Sequence, residues 1–174
     1  MSNPPPNFQG KWKKLVVAFQ HKSDRASAIL GATYLETSLK QLIVCFLIDD
    51  PKATHQLLNE EGPLGSFHAR LKAAYCMGLL SKTEYHDLNL IIEIRNMFAN
   101  AIEINSFTNN EIRDKCYRLR IPHEVLVSTE TQSPKHLFVF TSTILAQHLA
   151  LRCKQAAKAQ RSVPSEFILV ETDI

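Results

Sequence analysis

The sequence predicts an all-α fold: a single-domain bundle of about six or seven helices around a central buried helix, residues about 82–102. From Leu80 the chain reads Leu-Ser-Lys-Thr-Glu-Tyr, in which Ser81 can cap a helix, Glu84 at N3 can reach back to it, and Leu80 can pack on Tyr85. Two apolar stripes then recur at spacings of three and four, Leu88, Ile91, Phe98, Ile102 and Leu90, Ile94, Met97, Ala101. A helix apolar over so much of its circumference has to be surrounded by other elements. Apart from Phe167 to Val170, which could dock as a terminal strand or wrap a partner, nothing in the chain resembles a β-ladder.

Taken in order, residues 1–7 form a loose arm, residues 8–160 the helical domain and residues 161–174 a tail. A short helix from about Phe8 to His21 carries Trp12, Leu15, Val16 and Phe19 at helical spacing. Ser23 or Asp24 caps a long second helix, whose seam reads Ala28, Ala32, Leu35, Leu39, Leu42, Phe46 until Asp49-Asp50-Pro51 stops it. Lys52 to Glu61 reads as a short helix with Leu57 and Leu58 inward, and Gly62-Pro63-Leu64-Gly65 as a tight turn. Ser66 caps the next helix, with Phe67, Leu71, Ala74 and Tyr75 on one side and Gly78 as its left-handed stop.

Beyond the central helix, Thr108 and Glu111 form a second capping box, with Phe107 and Ile112 as its staple, opening a helix to about Leu119. Arg120 to Ser133, with Pro122 and a Ser-Thr-Glu-Thr-Gln-Ser tract, reads as a surface loop. Ser133 and Pro134 are favoured N-cap and N1 residues. They start a last helix with Leu137, Phe138, Thr141, Ile144, Leu145, His148 and Leu149 inward, ending in Arg152, Lys154, Lys158 and Arg161.

The composition sets limits. A chain of 174 residues, 45% hydrophobic and 21% charged, can bury one proper core. A net charge of +3 and a pI near 8.7 neither require nor exclude a polyanionic partner. Cys45, Cys76, Cys116 and Cys153 form no C-x-x-C pair, which argues for buried thiols over a zinc ribbon or a redox motif. The N-terminus lacks the apolar region of a secretory signal, and Leu42 to Ile48 is too short to span a bilayer. The expectation is a cytoplasmic protein with no membrane contact.

The main chemical oddity is Arg95, which falls inside the first apolar stripe. A guanidinium in a core must find a carboxylate, backbone carbonyls or an anion, or stay partly wet. Glu36, beside the Leu35–Leu39 seam, is a candidate structural partner. In the functional reading, Arg95, Asn96 and Asn100 line an interaction or anion-binding cleft, or a dimer seam. No phosphate-binding glycine loop, H-E-x-x-H helix or G-x-S-x-G elbow is present, and no cofactor or catalytic set is expected. His86 and Glu93 stand seven residues apart on one helix, a poor pair for one metal. Tyr85-His86-Asp87 reads as solvated polar surface.

The helices flanking Gly78 superficially resemble a helix-turn-helix. That reading would bury Glu84 and Asp87 and lead with Thr83, Glu84 and His86, which offer little to phosphate or guanine. The basic end, Lys154, Lys158 and Arg161, is the better candidate for nucleic-acid contact.

The segments Gly62-Pro-Leu-Gly-Ser-Phe67, Gly78-Leu-Leu-Ser81 and Ile94-Arg-Asn-Met-Phe-Ala99, together and in this order, resemble the mannitol operon repressor (MtlR) family of bacteria over about Ala26 to Leu119. The resemblance implies a cytoplasmic, all-helical, non-enzymatic transcriptional repressor of mannitol uptake and metabolism. Arg95-Asn96-x-x-Ala99 is also similar to the R-N-x-x-A-H signature of HEPN-type ribonucleases, but Asn100 stands at the histidine position. An amide cannot act as a general acid or base near neutral pH. Three expectations follow: a repressor acting through a protein partner or homodimer surface, a repressor binding operator DNA through its basic ends, and a HEPN-like RNA-binding protein or degenerate ribonuclease.

Overall fold

The computed structural model describes residues 22–100, 106–125 and 131–166. Seven helices and no strand occur among them: α1 (Asp24–Phe46), α2 (Pro51–Leu58), α3 (Phe67–Cys76), α4 (Lys82–Asn100), α5 (Asn110–Tyr117), α6 (Arg120–Val125) and α7 (Pro134–Lys158). The expected arm, the helix at 8–21 and the terminal segment at 167–170 lie outside the described residues, as do Ala101 and Ile102.

Local signals set most helix starts. Ser81 and Glu84 form the expected reciprocal box: the Ser81 N–H donates to Glu84 Oε2 at 2.7 Å and the Glu84 N–H to Ser81 Oγ at 3.2 Å. Ser23, Ser66 and Ser133 cap α1, α3 and α7 through their hydroxyls. Asp50 caps α2, whose N1 residue is Pro51, so the residues expected only to stop α1 also start its successor. Gly78 ends the α3 turn at φ 72°, a conformation a Cβ would strain. The cap of α5 is Asn109, not Thr108: its side chain accepts from the Glu111 and Ile112 N–H groups, while Thr108 bonds to Ser106.

α4 is the pillar. It packs against α1, α3, α5, α6 and α7, and no residue between Thr83 and Phe98 is fully exposed. Leu88, Leu90, Ile91, Ile92, Ile94 and Phe98 are all buried. Phe98 meets Phe107 edge-on at 4.9 Å between centroids, and Phe107 meets Phe138 of α7 at 5.1 Å, so aromatic packing ties the pillar to the last helix. α1 and α7 run side by side in the same direction. At one end the Asp24 carboxylate takes Lys135 at 3.0 Å together with the Phe107 N–H at 3.0 Å. At the other, Cys45 and Cys153 are joined as a disulfide, where the sequence led us to expect four buried thiols. Cys76 is exposed; Cys116 is buried, and that burial pushes its thiol up to about 12.

The buried guanidinium is Arg70, not Arg95. Arg70 is 6% exposed and engages four of its five N–H donors: Nε donates to Leu64 O at 2.8 Å, Nη1 to Glu36 Oε1 at 3.0 Å, and Nη2 to Leu58 O at 3.1 Å and Gly65 O at 2.7 Å. Glu36 therefore belongs to Arg70. The Gly62–Gly65 turn is shaped to present its carbonyls, and a Cβ on Gly65 would lie 2.4 Å from Glu60 O. Arg95 is only half-buried and donates to Asn96 Oδ1 at 2.9 Å. It stays partly wet because the apolar face of α4 is narrower at that point than the stripe of spacings implied.

Arg120 to Val125 is a helix and not a loop, with Ile121 and Pro122 buried. Its N-terminus rests on Asp87, which is wholly buried where solvated surface was expected. The carboxylate accepts the Arg120 N–H at 2.9 Å and the Ile121 N–H at 2.8 Å. It also contacts His86 Nδ1 at 2.8 Å, which places the ring proton on that nitrogen. An anion under the first turn of a helix is favoured by its unpaired N–H groups.

Removing the Arg70 fork strands three carbonyls and half-buried Glu36. Arg70→Met is expected to destabilise the fold by roughly 2–5 kcal/mol. Arg70→Lys is expected to recover only part of this, because an ammonium cannot serve four acceptors in that geometry. Urea unfolding followed by circular dichroism checks both; a loss below about 1 kcal/mol for Arg70→Met would show that the fork is dispensable.

Candidate functional site

The concave feature that gathers polar side chains lies where the start of α4 meets α6 and the second half of α7. It is an open cleft of about 290 Å³ lined by Ser81, Thr83, Glu84, Ile121, Glu124, His148, Leu151, Arg152 and Gln155. The capping box delivers Glu84, the Asp87 support holds α6 in place to deliver Ile121 and Glu124, and α7 brings the rest on successive turns.

Glu84 is the anchor of the cleft. It is 3% exposed, and besides the Ser81 N–H it meets Arg152 twice, Nε to Oε1 at 3.3 Å and Nη2 to Oε2 at 3.2 Å. His148 Nδ1 lies 3.2 Å from Oε1, a charged pair when the imidazole is protonated. Burial raises the Glu84 carboxyl, but the Ser81 N–H and Arg152 outweigh it and hold the group below the ordinary carboxylate value. Thr83 Oγ1 donates to Glu124 Oε1 at 3.0 Å across the α4–α6 gap. His148, expected to point inward, has an exposed side chain at the cleft mouth. Leu151 and Val125 are more than half exposed at the cleft and beside it, large apolar groups open to solvent.

The residues singled out from the sequence fall elsewhere. Arg95 and Asn96 are half-buried near the far end of α4 and joined to each other, while Asn100 is exposed at the helix end. Two residues before Arg95, Glu93 pairs with Lys115 of α5 and accepts from Asn89. Among the described residues, no group of three or more His, Cys, Asp or Glu side chains is placed to hold a metal ion. No helix among them is long and apolar enough to cross a membrane.

Lys154 and Lys158 are exposed on the last turns of α7. Arg161 lies beyond the helix and folds back on α1: its N–H donates to Phe46 O at 2.9 Å and its guanidinium stands 5.4 Å from the Phe46 ring centroid. The expectation that Glu84 and Asp87 are too polar to be inside fails, since both are buried. The helix-turn-helix reading still fails, for another reason: α4 presents no exposed face along its length to enter a groove. Sequence reasoning missed the Glu84–Arg152–His148 cluster. The spacing of His148 and Arg152 by four residues was its one local signal.

The depressed Glu84 carboxyl fixes the sign of a pH effect. Its folded value lies below the unfolded one, so its contribution is complete above the ordinary carboxylate range and is lost as pH falls through that range to the folded value. Asp24 behaves alike, with burial opposed by the Phe107 N–H and Lys135. Acidification from pH 6 to pH 3 is expected to lower the melting temperature more in the wild-type chain than in Glu84→Gln. Parallel pH profiles for the two would exclude Glu84 as a contributor.

Comparison with known proteins adds three findings. The mannitol repressor (MtlR) family model matches residues 27–173. The mannitol operon repressors of Escherichia coli strain K12 and of Escherichia coli O6:H1 strain CFT073 are each 33% identical over 91 residues, 49% of this chain and 47% of theirs. The chain thus spans about half the length of the curated relatives it matches. Among solved structures, the chain is similar to one in the X-ray structure of the MtlR–HPr complex from Escherichia coli, with a TM-score of 0.65 and 21% identity over 82% of this chain and 98% of that one. It is also similar to a possible transcriptional regulator, YggD, from Shigella flexneri 2a, with a TM-score of 0.55 and 14% identity over 83% and 98%. The helical architecture is shared with both, and with the family model matched over most of its length, the chain belongs to the mannitol repressor (MtlR) family.

Proposed function

We propose that the protein represses genes of mannitol uptake and metabolism, in the cytoplasm, through a protein partner rather than by reading DNA itself. The single observation that carries the second half of this reading is the position of α4. The helix that a helix-turn-helix would insert into DNA is instead the enclosed pillar of the bundle, packed by five neighbours. Membership of the mannitol repressor family supports the regulatory role. The similar Escherichia coli structure holds MtlR together with HPr, which makes HPr the partner to test first.

The α4–α6–α7 cleft suits such a contact. It offers exposed Leu151, with exposed Val125 directly following Glu124 in the chain, as apolar anchors beside Glu124, Arg152 and His148, the mixture of apolar and polar groups found in transient interfaces. Arg95, Asn96 and Asn100, on the opposite reach of the pillar, form a second patch for a partner or a homodimer, with no catalytic role in this reading. One helical domain over residues 8–160 carries both patches. A direct operator contact is the second reading, favoured by the exposure of Lys154 and Lys158 at one end of the molecule.

One titration separates the two. Fluorescently labelled DNA from upstream of the mannitol genes and scrambled DNA of equal length are titrated across a salt series. The partner reading expects equal, weak and salt-sensitive binding to both, with HPr binding measurable by calorimetry and weakened roughly tenfold or more by Leu151→Glu. Preference for the native DNA by more than about a hundredfold at physiological salt would overturn it. Changing Lys154, Lys158 and Arg161 together to Gln would then flatten the salt slope by about three.

A further inference from the structure

We propose that Cys45 and Cys153 form a reversible redox latch that holds the cationic C-terminal segment, Lys154 to Arg161, against the end of α1. The pair is a product of helix register. The Asp24–Lys135 ion pair fixes α1 against α7 at one end, and about five to six turns further along the two cysteines face each other with Cα atoms 5.7 Å apart. That separation lies within the span a disulfide bridges without moving the backbone.

What surrounds the pair gives it a lever. Cys153 directly precedes Lys154, and Cys45 directly precedes Phe46, the residue on which Arg161 lands through its N–H and its guanidinium. The last turn of α7 and the chain beyond it therefore straddle the bridge. Past the bridge Ala156 packs into the core, and the chain beyond α7 is held at Phe46 by a backbone hydrogen bond and a cation–π contact, individually weak.

The two sulfurs also differ in access, which gives the exchange a direction. Cys45 is half-buried and reachable by a small thiol, whereas Cys153 is 5% exposed. The Gln41 side-chain amide donates toward Cys45 Sγ at 3.8 Å. In closing, the Cys45 thiolate attacks a low-molecular-weight disulfide of the glutathione class and expels one thiolate. The Cys153 thiolate then attacks Cys45 Sγ and expels the second. The two protons lost by the cysteines go to the two leaving thiolates, so two protein thiols and one small disulfide become one protein disulfide and two small thiols. In opening, a small thiolate enters at Cys45 and the same steps run backward. Disulfides of reducing compartments are as a rule transient and sensing, and the exposure of Cys45 fits that use.

The test poises the full chain, together with the Cys76→Ser chain to exclude pairing between molecules, in buffers of graded reduced-to-oxidised glutathione ratio. Alkylation and peptide mapping then report the Cys45–Cys153 link, and brief trypsin digestion reports the segment. The link is expected to form and break reversibly, and cleavage after Lys158 and Arg161 to run at least about fivefold faster in the reduced protein while cleavage after Lys115 serves as an unchanged reference. The melting temperature is expected to be higher in the linked form by roughly 5–15 °C. Cys45→Ser is expected to abolish every redox dependence. Thiols that never link at any ratio would overturn the latch; so would a link that leaves cleavage of the segment unchanged, or a redox response that persists in Cys45→Ser. The wild-type comparison between two poises decides the matter even if that variant folds poorly.

Discussion

The four-bonded guanidinium of Arg70 is the constraint on which the first half of the bundle depends. Its acceptors come from the end of α2, from Leu64 and Gly65 at the close of the Gly62–Gly65 turn and from α1, so that one side chain determines how three helices and a tight turn meet. Glycine in that turn is a corollary, since the carbonyls can converge only if the backbone comes close to itself. The cost of burying a charge is offset only when good geometry and further hydrogen bonds accompany its ion pair. Arg70 meets that condition with one carboxylate and three carbonyls.

The second half of the bundle is held by buried carboxylates from the same helix. Asp87 receives the start of α6, and Glu84 receives the middle of α7. Because both leave from the first two turns of α4, the pillar supplies the hydrophobic centre and also the polar attachments of its neighbours. This is why α4 has no continuous exposed face to lay in a DNA groove. The cleft beside α6 and α7 is in turn shaped by the elements that the pillar positions.

What the sequence made legible was local. The Ser81–Glu84 box, the Ser133-Pro134 start and the Gly78 stop are each decided within four residues of chain, and the structure places all three as their chemistry requires. What it hid depends on distance along the chain. Arg70 looks like one more basic residue until the turn carbonyls are folded around it. Arg95 looked buried because periodicity gives the direction of an apolar face but not its width. α6 is six residues long and shows no period, and the side chain that caps it lies 33 residues earlier. The cysteine pair spans 108 residues. The Glu84 cluster was half visible, as a capping residue, while its partners on α7 were assigned inward on periodicity alone.

The parallel pairing of α1 with α7 reaches beyond the folded state. α1 finds its main companion only when α7 leaves the ribosome, with a separation of 108 residues between the paired cysteines. At translation rates of about 5–20 residues per second, the apolar seam of α1 waits roughly 5–20 s for its cover. Contacts so far apart in sequence also slow folding once synthesis is complete. Serine, alanine and glycine at Ser27, Ala28, Gly31 and Ala32 keep the first stretch of that seam small, so the apolar surface left waiting is confined to its second half, from Leu35 to Ile43.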